Sequence, residues 1–353
     1  VIKNPGIRDF RDPKVTWDWV NNQWIMILAA KDRAHLYTSK NLKDWKFLSE
    51  FKDDVSKHGV WECPDFFPLK VKGSNEVKWV LLQSFNPGGA NGGSGTQYFI
   101  GDFDGTTFTL DKTFKQKLVK EKGIWLDYGH DNYASVTWGN SPNEREKKYF
   151  TGWMINLDYG FEPPTNAWRG TNTVVRELEL IKDKQGYRLN TTPAASLNKY
   201  ISGTETVKKL AVNKSAELPV QKTDLTQTEI NLNLNDLKKG DYTFTLYNNS
   251  GDVLKFGLDN TTGTFFVDRS LAANGTAFEK RTKHVAKMPL GGMQKQLALK
   301  ILLDKTSIEL FFNNGEKAMT EIFFPKEPFT NLKTEGTDKF VIENMVINHF
   351  DFK

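Results

Sequence analysis

Three short clusters set carboxylates beside cationic or aromatic side chains. Arg11-Asp12-Pro13 places a guanidinium next to a carboxylate, a neighbour that keeps the Asp ionised. Trp61-Glu62-Cys63-Pro64-Asp65 sets a Glu between an indole and a thiol, a semi-apolar setting that would raise its pKa for acid duty. Asp131-Asn132-Tyr133-Ala134 puts an Asp and a Tyr at the start of an alternating run. Cleaving a glycosidic bond takes two carboxyl groups, an acid for the leaving oxygen and a nucleophile or base across from it. Taken singly, each cluster fits a turn residue or a solvated charge at a strand start just as well. Residue types and spacing alone stop at a soluble β-rich protein.

Other chemistries find less support. There is no G-x-S-x-G elbow, and the five histidines, His35, His58, His130, His284 and His349, have no metal-ligand spacing, so no metal and no cofactor is expected. The glycine-rich stretch Gly88-Gly89-Ala90-Asn91-Gly92-Gly93-Ser94-Gly95 lacks the Lys-Ser/Thr ending of a phosphate loop and leads into a strand, which suits a tightly turned or mobile loop at a site rim. With one cysteine, Cys63, no intrachain disulfide can form. The net charge of +5 is spread over scattered lysines, against a nucleic-acid partner. No apolar run reaches the roughly 18 residues of a membrane span. The first residues, Val1-Ile2-Lys3-Asn4-Pro5-Gly6, do not read as a signal peptide. Aromatics are abundant, with 25 Phe, 10 Trp and 10 Tyr; most should be core, and some indole faces suit the C–H face of a sugar.

The clusters need strands to position them. Alternating or apolar runs predict strands at Lys14–Trp19, Gln23–Ala30, Ala34–Ser39, Trp45–Phe51, Trp79–Phe85, Gln97–Phe103, Thr107–Leu110, Asn132–Trp138, Lys148–Ile155 and Asn172–Ile181. Tyr37 through Trp45 is similar to Ile100 through Phe108: a strand end, a polar turn, then an aromatic opening the next strand. The period of about 60 residues fits four-stranded propeller blades with long loops. Residues 1–195 would supply about three blades, and a closed ring takes about four to eight. Residues 196–206 read as a linker, with a short helix near Ala194–Tyr200. Beyond it tryptophan is absent, and short strands such as Glu229–Leu234, Tyr242–Tyr247, Leu297–Leu303 and Ser307–Phe312 predict a β-sandwich over 207–353.

These motifs carry a family resemblance. Phe10-Arg11-Asp12-Pro13-Lys14-Val15 resembles the R-D-P motif of glycoside hydrolase family 32, the invertases, inulinases and levanases. Trp61-Glu62-Cys63-Pro64-Asp65 is similar to its E-C motif, and Tyr128 through Ala134, Gly152 through Asn156 and Pro164 through Gly170 follow in order. The resemblance implies an all-β fold, a five-bladed propeller followed by a sandwich. It implies a retaining hydrolase releasing terminal β-fructosyl units from levan, inulin or sucrose, and an extracellular parent protein. Glu62 would be the acid/base and Asp12 the transition-state stabiliser. Arg11 would position the fructose ring or orient Glu62. Asp131, Tyr133 and Trp153 would line the site, and Cys63 would sit behind Glu62.

One departure qualifies this picture. The family nucleophile is the Asp of a W-M-N-D-P-N-G-type motif well upstream of R-D-P, and no such string occurs here. The expectation is therefore an N-terminally shortened chain, inactive alone because no covalent intermediate can form. A non-catalytic carbohydrate-binding protein and a structural β-rich interaction domain are the alternatives, since fold does not fix function.

Overall fold

The computed structural model describes residues 2–55, 59–220, 225–273 and 275–353; His58 lies outside them. The chain divides into two units, Val1–Asp158 with Asn172–Ala194, and Tyr159–Thr171 with Ala195–Lys353.

The first unit holds three antiparallel sheets, the blades of a partial propeller. The first is β1 (Phe10–Asp18), β2 (Gln23–Ala30), β3 (Ala34–Ser39) and β4 (Lys46–Phe51). The second is β5 (Val60–Lys70), β6 (Val77–Asn86), β7 (Gly95–Phe103) and β8 (Phe108–Leu110). In the third, β9 (Tyr133–Thr137) pairs with β10 (Lys147–Met154); β11 (Thr171–Asn172) straddles the boundary between units, and β12 (Arg176–Asp183) and β13 (Gly186–Pro193) complete the sheet. The two segments judged similar in sequence are equivalent: each carries the third strand of its sheet through a turn into the fourth.

Alternation builds these strands. In β12, Arg176, Leu178 and Leu180 point inward while their neighbours are half-buried. β5 differs, since Pro64 through Leu69 are all buried, as befits a strand covered on both faces. Aromatics fill the space between the first two sheets. Within the second sheet Phe66 stacks on Trp79 at 4.4 Å, and between the sheets Phe51 meets Phe108 edge-on at 5.1 Å. The helix α1 (Lys112–Glu121), not foreseen from the sequence, starts where the Asp111 carboxylate accepts from the Thr113 and Phe114 amides. Only Phe114 and Leu118 of it are buried, an apolar stripe too thin to read among five lysines within 112–122.

The second unit is a sandwich of two six-stranded sheets. One has the order β14 (Ile201–Val212), β25 (Phe340–Phe350), β16 (Thr228–Asn235), β21 (Leu297–Leu303), β22 (Ser307–Phe312), β23 (Lys317–Ile322). The other runs β15 (Ser215–Glu217), β24 (Asn331–Gly336), β17 (Asp241–Tyr247), β18 (Val253–Asp259), β19 (Thr264–Leu271), β20 (Ala286–Pro289). Phe265 against Phe312 and Tyr242 against Phe340 join the two inner faces. Residues 196–206, read as a linker, hold most of a 3-10 turn (Ala195–Tyr200) and the start of β14, which pairs along the whole of β25. β14 escaped notice because its exposed positions are Ser, Thr, Lys and Ala, which read as loop until the partner strand supplies the other half of the ladder.

Buried charge also locks the first unit. Arg176 and Asp127 form a fully buried pair, Nη1 to Oδ2 at 2.8 Å, and Asp127 also accepts from the Gly129 amide and the Asn132 side chain. Arg176→Met should strand that carboxylate away from water and destabilise the protein by about 3–5 kcal/mol, read from the urea unfolding midpoint.

Candidate active site

The same irregularity opens the first strand of each blade. In β1, the two residues between Arg11 and Lys14, Asp12 and Pro13, stand opposite one in β2, Leu28. In β5, the two between Glu62 and Asp65 do the same against β6, and in β9, the two between Tyr133 and Val136 against β10. Each is a β-bulge, and each has one residue in the left-handed region: Asp12 (φ 57°), Cys63 (φ 47°) and Ala134 (φ 53°). None is a glycine, so each conformation costs on the order of 1 kcal/mol that the surrounding ladder must overcome. Pro13 and Pro64 follow the first two, where the bulge leaves no ladder partner for an amide.

The bulges re-aim the residue just before them. Arg11, Glu62 and Tyr133, separated by 51 and 71 positions, converge on one carboxylate. Arg11 Nη2 donates to Glu62 Oε1 at 2.8 Å, and the Tyr133 hydroxyl donates to Oε2. Arg11 Nη1 is held in turn by Asp9 Oδ1 at 2.6 Å. Both acidic partners push the guanidinium pKa further up, Asp9 first, so Arg11 is a fixed cation. Burial, then Glu62, pushes the Tyr133 phenol well above its ordinary value, so it remains a proton-bearing donor toward Glu62. Beneath, Gln83 Nε2 donates to the Glu62 backbone carbonyl at 2.9 Å.

Asp12 stands one bulge away. Its Oδ2 accepts from the Cys63 amide at 3.0 Å, with the Cys63 sulfur at 3.8 Å. Among the described residues its Oδ1 accepts no hydrogen bond, which leaves an oxygen for a ligand hydroxyl. A second tie joins the same three strands. Buried Asp65 accepts from the amide and hydroxyl of Thr137, both at 2.7 Å, and Lys14 Nζ lies 3.7 Å away.

Arg11, Asp12, Glu62, Cys63 and Tyr133 are thus joined by direct contacts. Trp153, half-buried, is the cross-strand partner of Tyr133, and Asp131 is fully buried in the segment leading into β9. One expectation is corrected. Strand alternation turns Trp61 away from Glu62 and into the core, edge-on to Phe85 at 5.3 Å. The surroundings of the carboxylate are therefore Arg11 and Tyr133 rather than indole and thiol, and the thiol's own contact is Asp12. Asp9 and Gln83 escaped sequence reading; a D-x-R spacing hints at Asp9, while nothing local marks Gln83. The glycine-rich loop is tightly turned, with the Gly88 and Gly89 amides both on the Gly93 carbonyl. Asn156 ties it to the third sheet, accepting from the Ser94 amide and donating to the His130 carbonyl. A Cβ on Gly93 would overlap Asn156, so glycine is required there.

Comparison with known proteins matches both units. The glycosyl hydrolases family 32 N-terminal domain covers residues 1–193, and the family 32 C-terminal domain covers 194–349. The chain belongs to glycosyl hydrolase family 32. A levanase of Bacillus subtilis is 38% identical over 332 residues, covering 92% of this chain and 48% of that protein. A levanbiose-producing levanase of the same organism is 34% identical, covering 99% and 66%. The chain thus spans about half and about two thirds of these relatives' lengths. Among solved structures, the exo-inulinase of Aspergillus awamori superposes with a TM-score of 0.85 at 28% identity, over 98% of this chain and 68% of that one. A fructofuranosidase of Schwanniomyces occidentalis, solved with fructose, has a TM-score of 0.82 at 26% identity, over 97% and 70%. These family 32 structures are propeller-plus-sandwich enzymes, in agreement with the sheets described above.

The geometry has a chemical consequence for the one thiol. Burial first, then the charges of Asp12 and Glu62, push Cys63 up to about 12. At pH 8 its thiolate fraction falls about a thousandfold below that of a free cysteine with pKa near 8.5. Alkylation by iodoacetamide, followed by mass spectrometry, should be slower by that factor; a rate like that of glutathione would contradict the burial and charge placement.

Proposed function

We propose that these residues form the acid/base part of a retaining fructosidase site that releases terminal β-fructosyl units from levan, inulin or sucrose. The supporting observation is the Glu62 carboxylate, gripped on one oxygen by Arg11 and approached on the other by the Tyr133 hydroxyl, with Asp12 offering a free oxygen beside it. The levanase and exo-inulinase names of the relatives point to the same substrate class.

In this reading Glu62, protonated, gives its proton to the glycosidic oxygen as that bond breaks, while a second carboxylate attacks the fructosyl carbon to form a covalent ester. Glu62, now ionised, takes a proton from water as the water's oxygen displaces that ester. Arg11 and Tyr133 hold both oxygens of Glu62 in place through the two steps. Asp12 accepts hydroxyl hydrogen bonds from the fructose ring, contacts that strengthen as positive charge develops there. Trp153 and Asp131 shape the pocket wall around Tyr133. The substrate polymers are too large to enter a cell unaided, and one relative is an extracellular exo-inulinase of Aspergillus niger, so the site works outside the cell.

The second carboxylate is the open term. No W-M-N-D-P-N-G-type string occurs in the 353 residues, so this polypeptide alone should release no fructose from the three substrates. The same observation favours a second reading, a carbohydrate-binding propeller and sandwich without catalysis. A chimera separates them: the chain joined behind the motif-bearing segment of a family 32 levanase. Fructose release should appear, and Glu62→Gln in the chimera should lower kcat by about 10²–10⁴-fold, the usual contribution of an acid/base. An unchanged kcat in Glu62→Gln would remove Glu62 from the role. Fructose released by the unjoined chain would overturn the missing-nucleophile part.

A further inference from the structure

One end of the sandwich carries a cleft of about 990 Å³ that the glycosidase reading does not use. Three connections build its rim. Lys238 and Lys239 come from the turn between β16 and β17, Lys295 from the segment before β21, and Lys339 from the turn before β25. Its floor is apolar, with Leu237 and Phe340 buried beneath. Among the described residues, the one acidic lining residue is Asp236.

None of these four lysines has an acidic partner among the described residues. Three other lysines of the same unit, Lys209, Lys300 and Lys333, do lie within 3.4 Å of a carboxylate. The rim is also held rigid from below. Fully buried Asn260 donates to the Lys238 and Gln294 carbonyls, both at 2.7 Å, and accepts from the Gln294 amide. The Lys238 amide donates to the buried Tyr242 hydroxyl at 2.7 Å, and the Leu237 amide to the Lys295 carbonyl at 3.1 Å. Two lysine-bearing loops are thereby fixed against each other around the opening.

We propose that this cleft is an anion site for a phosphate-bearing polyanion. Four ammonium groups without ion-pair partners, set against the single carboxylate of Asp236, over an apolar floor attract negative charge by concentrating positive potential at a concave surface. Lysine, a compact hydrated point charge, suits phosphoryl oxygens; no arginine lines the cleft to fork a carboxylate. No Trp or Tyr lines it either, so it offers no platform for a neutral sugar ring. The site does not depend on the fructosidase reading.

Titration calorimetry of the whole 353-residue chain with long-chain sodium polyphosphate tests this. Binding should be measurable at 50 mM salt and fall steeply by 200 mM, as counterion release requires, those two salt levels being about the usual comparison range. Lys239→Gln with Lys295→Gln should weaken it about tenfold or more, and Lys238→Gln with Lys339→Gln similarly; the same charge removed from α1 by Lys117→Gln with Lys120→Gln should change it less than about twofold. All six lysines but one half-buried on α1 are exposed, so the folded state should melt as the parent does. Equal losses in the α1 variant, equal binding of polyglutamate, or no binding at the lower salt would each overturn the proposal.

Discussion

Everything in the candidate site depends on the placing of one carboxylate. Glu62 belongs to β5, but its two oxygens are engaged by side chains from β1 and β9, so its position is defined only when three separate sheets are assembled. A carboxylate on a single strand would sample several rotamers. Here Arg11 and Tyr133 leave one, and both are themselves constrained, Arg11 by Asp9 and Tyr133 by burial.

The device that makes this possible is the bulge. A regular strand would alternate its side chains and send the residues of a first strand to opposite faces. One extra residue in left-handed conformation, at Asp12, Cys63 and Ala134, resets the alternation at the same level of each blade. The strain of three non-glycine residues at positive φ is concentrated where the side chains must meet. It is held by the second tie below, Asp65 with Thr137 and Lys14, which pins the same three strands a few residues further on. Asp12 gains most from the arrangement: the neighbouring bulge turns the Cys63 amide toward it, a backbone donor that fixes one oxygen and leaves the other for a ligand.

The sandwich shows the complementary use of charge. Inside, Arg269 is fully buried; its guanidinium donates to the Tyr159 hydroxyl and the Ile322 carbonyl, and its Nε lies 3.2 Å from a Glu321 carboxylate oxygen. At the edge, four lysines have no ion-pair partner among the described residues around a rigid opening. Paired charge serves the fold, whereas unpaired charge on a fixed frame is available to a ligand.

Most of the architecture was legible in residue order. The blade-like spacing, a sandwich in the C-terminal half and the clusters at Arg11-Asp12, Glu62-Cys63 and Asp131-Tyr133 follow from alternation, turn residues and motif, all of which are local properties. What local pattern could not decide was partnership. β14 and α1 passed unnoticed because their exposed faces are polar and their buried stripes thin, and only the opposing strand or sheet explains them. Trp61 and Glu62 are adjacent in sequence yet lie on opposite faces, so adjacency suggested a contact that the pleat forbids. The chain by itself determined which groups carry chemistry; tertiary structure decided which of them touch, because hydrogen-bonded register and three bulges, set by pairing across distant segments, choose the direction in which each side chain points.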